Sequence, residues 1–263
     1  MAVLSPLSRR PTVAAMLVLT AVTGLIDTYS YLSLGHVFVA YMTGNVVFLG
    51  VGLQPGADLA WVVPAVAVGG FALGSLTGGR LAARLSGRPR RWLVAALAAE
   101  AVLLALVAVV SAGGLMTPDG RSAQHGGAHA GGPCAYVSIA LLALAAGLQN
   151  STVRHFGVRE LNTSVLTLTL TGLTADSTLG GGPGAKAHRR VGSIAAMLGG
   201  AAVAATLFRI SATAVVVLAA VLVALVSGAF ATGRSAASGA DVVAGKGGAG
   251  EEWPGEFQST RSG

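Results

Sequence analysis

Charge is what this sequence has least of. Only 10% of its 263 residues are Asp, Glu, Lys or Arg, where a soluble domain carries about 25%. Hydrophobic residues make up 53%, and mean hydropathy is +0.72. Leu59–Gly79, Val191–Phe208 and Ile210–Gly233 hold no charged side chain at all, and each is of membrane-spanning length. A soluble enzyme is excluded on these grounds. Cysteine is nearly absent too. Cys134 stands alone, which excludes an intramolecular disulfide, a multi-cysteine zinc site and a CxxC redox pair. Aromatics reach only 5% while glycines number 38, a balance suited to helices that pack backbone to backbone in lipid. What remains is an all-α membrane protein.

A hydropathy pass finds six full-length transmembrane helices: Val13–Leu34, Leu59–Gly79, Trp92–Val110, Cys134–Val153, Val191–Phe208 and Thr213–Ala231. Two further apolar segments are expected to be re-entrant or broken. Val37–Leu53 is interrupted by Thr43, Gly44 and Asn45, and Leu161–Ala175 is crowded with threonine. At 1.5 Å per residue the second reaches only about 22 Å, short of a hydrocarbon core of about 30 Å. Lys and Arg near span ends favour the cytoplasmic side. Six crossings with a cytoplasmic N-terminus leave only Arg121 and Arg209 outside. Eight crossings would put the Arg80–Arg91 and Lys186–Arg190 clusters on opposite faces. The expected order is a cytoplasmic N-terminus (1–12), a first membrane repeat (13–112), an extracytoplasmic loop (113–133), a second repeat (134–232) and a disordered cytoplasmic tail (233–263). Arg9 and Arg10 before an apolar run also fit a cleaved or twin-arginine signal. The run continues past Asp27 to Leu34 with no small-x-small cleavage site, so the first helix is expected to be retained. The net charge of +7 is accounted for by topology-anchoring loops facing the lipid bilayer. No basic stripe interleaved with aromatics points to nucleic acid.

The chain repeats itself with a period of about 123 residues. Gly24-Leu25-Ile26-Asp27 answers to Gly147-Leu148-Gln149-Asn150, Gly35 to Gly157, and Thr43-Gly44-Asn45 to Thr167-Leu168-Thr169. The ridge Gly70, Gly74, Gly78 and Ala82 aligns with Gly192, Ala196, Gly200 and Ala204, with small-xxx-small spacing on one helix face. Three crossings per half is an odd number, so the halves enter the membrane from opposite sides. An inverted 3+3 repeat follows, an architecture that recurs in secondary transporters with binding sites at broken helices. That parallel sets an expectation only, since fold does not imply function.

The same blocks resemble a known family. Gly24–Asp27, the run Gly35-His36-Val37-Phe38-Val39-Ala40-Tyr41-Met42-Thr43-Gly44-Asn45-Val46-Val47 and the run Ala146-Gly147-Leu148-Gln149-Asn150-Ser151-Thr152-Val153-Arg154 are similar to the YoaK-type multi-pass bacterial membrane proteins, a family of unknown function. The resemblance covers about Val13 to Ala231. It implies a six-span protein of the bacterial cytoplasmic (inner) membrane, and no mechanism.

An ionisable side chain inside a span costs a few kcal/mol and marks a functional candidate. Asp27 lies deep in the first span, and its mate Asn150 in the fourth. A carboxylate facing an amide suits a cation or a proton; the alternative is that Asp27 only ties helices together. Glu100 has no equivalent in the second half. It is read either as a proton carrier or as an acid satisfied by a neighbouring helix. His36 could couple to Asp27 if the chain breaks at Gly35, or could rest at the interface. Thr43, Gly44 and Asn45 offer a hydroxyl, a helix-opening glycine and an amide, mirrored by Thr167, Thr169 and Thr171. With Gln149 they are expected to line a substrate or ion path, or else to brace the bundle.

Other motifs fail on chemistry. Gly180–Lys186 lacks the Gly-Lys-Ser/Thr of a phosphate loop. His125, His129 and Cys134 lack a rigid frame, so no metal site is expected. No nucleophile, base and metal converge, so neither enzymatic activity nor a cofactor is expected. The leading expectation is secondary transport of an unidentified small-molecule or ion substrate, coupled to a proton or cation. The alternative is a non-transporting membrane sensor or scaffold. The Gly70/Gly74/Gly78 face would serve a repeat interface or a homo-oligomer equally well.

Overall fold

A computed structural model of the chain describes residues 9–54, 61–113, 132–155, 166–176 and 187–232. The 113–133 loop with His125 and His129, the front of the Leu161–Ala175 segment, Gly180–Lys186 and the 233–263 tail lie outside the described residues or nearly so. All regular structure among the described residues is helical. The helices are α1 (Arg9–Ser33), α2 (Met42–Val51), α3 (Val62–Arg84), α4 (Pro89–Ala112), α5 (Gly132–His155), α6 (Leu166–Ala175), α7 (Ala187–Phe208) and α8 (Ala212–Thr232).

Six of them, all but α2 and α6, are long and apolar enough to cross a membrane. They match the six expected spans, with ends displaced for local reasons. Helix α3 runs past Gly79 to Arg84 because Leu81, Ala82 and Ala83 are strong helix formers and the flanking arginines can reach out of the apolar layer. Helix α4 starts at Pro89 rather than Trp92, since proline's fixed φ suits a first helical turn and its missing N–H is an orphan there anyway. Large apolar side chains such as Leu73, Leu106, Val109, Leu198 and Leu225 remain exposed on the bundle's outside, as lipid-facing positions would.

Side-chain contacts set the helix directions. The start of α4 meets the end of α8 where Arg90 Nε donates to the Phe230 carbonyl and Ser227 Oγ to the Val94 carbonyl. The end of α4 meets the start of α8 at Ser111 Oγ and Thr213 Oγ1, 3.0 Å apart. These two helices are therefore antiparallel. Helices α3 and α5 run parallel, with Gly70 on Ala140, Gly74 on Leu144 and Gly78 on Ser151. Helices α1 and α7 also run parallel, with Leu17 on Gly192 and Ala21 on Gly200. An antiparallel α4/α8 pair fits six crossings, where they are the third and sixth; with eight crossings they would point the same way.

The packing has an exchange property. Swapping α1, α2, α3 and α4 for α5, α6, α7 and α8 turns the pair α3/α5 into α1/α7, α4/α5 into α1/α8, α2/α3 into α6/α7, and α3/α4 into α7/α8, all of them principal packed pairs. The pairs α4/α8 and α1/α5 map onto themselves. Glycines obey it in detail: a Cβ on Gly74 would overlap the Leu144 carbonyl and one on Gly200 the Ala21 carbonyl, while Gly147 presses on Phe71 as Gly24 presses on Met197. This pairs Gly74 with Gly200, and so corrects the ridge alignment, which put Gly78 opposite Gly200, by one helical turn.

Between α1 and α2 the chain doubles back. Gly35 (φ 87°) and His36 (φ 60°) take left-handed backbone, easy for glycine and strained for histidine. By Val39 and Ala40 the chain has returned to the level of Asp27, whose Oδ1 accepts both of their N–H groups at 2.9 Å. That is six residues back from the helix end, about 9 Å of rise. Helix α2 then reverses direction, and Gly52 ends against Trp61 at the start of α3. The chain folds back within this segment, and its break lies at Leu34–Tyr41. Gly44 was expected to open the helix and instead sits inside continuous α2.

Candidate functional site

Three polar side chains hold the returning linker between α1 and α2. Asp27, buried at 4% exposure, takes Val39 and Ala40 through Oδ1, while its Oδ2 has no hydrogen-bond partner. Ser30 Oγ donates to the Val37 carbonyl at 2.7 Å. Asn45, fully buried, clasps Phe38 from both sides: its Nδ2 donates to the Phe38 carbonyl and its Oδ1 accepts the Phe38 N–H at 3.2 Å. The amide of Asn45 thus satisfies backbone groups that no helix satisfies in this linker. The chemistry explains the choice, since a non-helical linker in an apolar bundle has neither a helix ladder nor water to satisfy its backbone. An aromatic column covers its other side, with Tyr31 edge-on to His36 at 4.8 Å and stacked on Phe38 at 5.6 Å.

Beside this clasp lies a cavity of about 480 Å³. The start of α2 forms one wall with Tyr41, Met42 and Thr43, next to Ala40. Helix α3 contributes Phe71, Ser75 and Gly79, and α5 contributes Asn150, Ser151 and Arg154. Because α3 and α5 run parallel, the wall extends from the level of Phe71 to the arginine-rich helix ends near Arg80 and Arg154. Its polar groups are anchored: Ser75 Oγ donates to the Gly147 carbonyl at 3.2 Å and Ser151 Oγ to the Leu148 carbonyl at 2.9 Å.

Under the exchange, the α5 wall corresponds to Asp27, Thr28 and Tyr31 on α1, and the α3 wall to Met197 and Ala201 on α7. That counterpart is filled. The Tyr41 hydroxyl donates to Met197 Sδ, and Val39 and Ala40 lie on Asp27. Among the described residues, one position borders a cavity where its mate is occupied; the counterpart of Val39 and Ala40, just before α6, lies outside the described residues.

The expected residues divide accordingly. Asp27, Thr43, Gly44 and Asn45 gather around the re-entrant turn; Thr43 and Asn150 line the cavity. Asp27 and Asn150 do not face each other. Gln149 Nε2 donates to the Leu19 carbonyl at 2.9 Å, which sets the adjacent Asn150 about two turns, or ~12 Å, along α1 from Asp27, and Asn150 Nδ2 bonds its own helix at Ala146. His36 does not pair with Asp27; it is exposed and rests on Tyr31. Thr169 is buried on α6 and Thr167 exposed, and because the segment is helical rather than extended the threonines fan around it, with Thr171 Oγ1 returned to the Thr167 carbonyl. Glu100 is buried in α4 with Oε2 unpartnered, away from the cavity. Among the described residues no group of three or more His, Cys, Asp or Glu is placed to hold a metal.

Sequence reading missed Tyr41, Ser75, Ser151 and Arg154 as lining groups and Met197 as the closing contact. In sequence Arg154 reads as an ordinary charge at a span end. Ser75 had a usable signal, sitting next to Gly74 on the close-packed face; Met197 had none.

A family profile described as "Protein of unknown function (DUF1275)" matches residues 15–229. The UPF0700 transmembrane protein YoaK of Bacillus subtilis (strain 168) is 30% identical over 172 residues, which cover 64% of this chain and 67% of that protein. No solved structure matches. The chain belongs to the DUF1275 family and is a multi-pass membrane protein, as the Gly24–Asp27, Met42–Asn45 and Gly147–Asn150 blocks implied.

Proposed function

We propose that this DUF1275-family membrane protein is a secondary transporter of a small solute, built as an inverted 3+3 repeat and working by alternating access. The observation that carries the reading is the asymmetry, among the described residues, between the two exchange-related positions: a cavity of about 480 Å³ among α2, α3 and α5, and a filled counterpart where Tyr41 meets Met197 and Asp27 holds Val39 and Ala40. Two equivalent packings of one repeat, one open and one shut, are what a rocking mechanism requires. With the arginine-rich ends in the cytoplasm, both termini lie inside and the described state is open inward. Opening outward parts Tyr41 from Met197 and withdraws the Val39–Ala40 turn from Asp27. The Asp27 carboxylate is then the group whose occupancy, by backbone N–H, proton or cation, differs between the two states, which makes it the coupling site.

The test measures distance between spin labels at Leu53→Cys and Ile210→Cys in a Cys134→Ala background, reconstituted in liposomes. Both positions are exposed, on the shut side. Transport by this route gives two populations, the longer one gaining when Asp27 is replaced by Ala. A single narrow distance, unchanged by Asp27→Ala in a folded protein, supports the sensor or scaffold reading instead.

A further inference from the structure

We propose that the cavity among α2, α3 and α5 binds a small organic carboxylate; this names the substrate class of the transport reading and rests on it. Among the described residues, Arg154 is the only charged side chain on the cavity wall, and no acidic side chain lines it. A guanidinium offers a planar fork of N–H donors that matches a carboxylate. Across from it, Met42 and Thr43 bring the start of α2 to the wall. That helix has no side-chain cap, so its first-turn N–H groups carry the positive end of the helix dipole there, and the Thr43 hydroxyl adds a donor. Asp27 lies behind Ala40 with its Oδ1 taken by two N–H groups.

The rest of the wall sets the size and character of the guest. Phe71 and Met42 are apolar, and a volume of about 480 Å³ falls in the range of small-molecule sites. Ser75 spends its hydroxyl proton on the Gly147 carbonyl, which leaves its oxygen as an acceptor for a hydroxyl or amine on the guest. A compact acid with an apolar body fits; an organic cation would face Arg154 and the helix dipole with no compensating acid among the described residues.

The experiment uses full-length Cys134→Ala protein carrying Ser151→Cys or, separately, Thr43→Cys, in phosphatidylcholine nanodiscs. A membrane-impermeant maleimide reports access, and benzoate, benzamide and benzylamine serve as shape-matched anion, neutral and cation, with acetate and lactate as smaller acids. Expected is slowing of labelling by at least one acid, about tenfold at ten times its Kd, with no slowing by benzamide or benzylamine. Arg154→Gln removes that protection and Arg154→Lys keeps part of it. Equal protection by all three probes, protection by benzylamine alone, or no protection by any acid overturns the anion assignment while the cavity and the transport reading stand. Protection that arises from adding phosphatidylglycerol, with no acid present, assigns the site to a lipid headgroup and also overturns it. Failure of both cysteines to react in folded protein means the cavity is dry, and the transport reading falls with it.

Discussion

Gly74 and Gly200 test the reciprocal packing directly. In each case an added Cβ would overlap a backbone carbonyl of the facing helix, Leu144 for Gly74 and Ala21 for Gly200. A carbonyl on a packed helix cannot rotate aside, so α3 must back away from α5, and α7 from α1. Overpacking of this kind costs about 1–3 kcal/mol. Gly69 and Gly199 supply the controls, since nothing lies within 4 Å of a Cβ at either position, and alanine there is neutral or slightly favourable to the helix. Thermal unfolding of purified protein in detergent should therefore place Gly74→Ala and Gly200→Ala below their controls by about 2 kcal/mol. At about 2–4 °C per kcal/mol for a chain of this size, the gap is roughly 4–8 °C. The two sites lie in different helix pairs, so their effects should add in the double variant. Equal melting of Gly74→Ala and Gly69→Ala, or a large effect in one half with none in the other, would refute the exchange property on which the inverted-repeat reading rests.

Three further outcomes follow from the same contacts. Asp27→Asn keeps an oxygen for the Val39 and Ala40 N–H groups and should cost about 1 kcal/mol, whereas Asp27→Ala leaves two buried N–H groups unpaired and should cost about 2–4 kcal/mol; equal losses in a melting assay would show that the carboxylate does not hold the turn. Asn45→Asp replaces the donor facing the Phe38 carbonyl with an oxygen and should destabilise at least as much as Asn45→Ala, which a paired melt would contradict if aspartate were tolerated. Glu100→Leu removes a buried oxygen with no hydrogen-bond partner, so melting should hold or rise; a fall of more than about 2 kcal/mol would reveal a partner that the acid serves.

The crossing number and the family were legible in sequence because they depend on run length, loop charge and short blocks such as Met42–Asn45, all written along the chain. The re-entrant turn was half legible. A polar triplet inside an apolar run marked the segment, but Gly35 and His36, not Gly44, carry the break, since a helix needs no opening at Gly44 once Asn45 has the backbone of Phe38 to satisfy. The reciprocal packing of Gly24 and Gly147 was visible in sequence, while the register of the Gly70–Ala82 ridge was not. Small residues at every fourth position fit neighbouring turns equally well, and only the carbonyls of Leu144 and Ala21 decide between them. Arg154 was hidden by its ordinary role at a span end, and the Tyr41–Met197 contact joins residues that no local pattern connects.

The central claim is that one face of the bundle is open to water while its equivalent is shut and can open. Cysteine labelling of Ser151→Cys and Thr28→Cys, each in Cys134→Ala cells and probed with impermeant maleimide from either side, measures it most directly. The account predicts that Ser151→Cys reacts from the cytoplasm, and that Thr28→Cys reacts from outside, slowly, and faster once Tyr41→Ala frees Met197. Labelling of both positions from the same side, or of neither in folded protein, would contradict it.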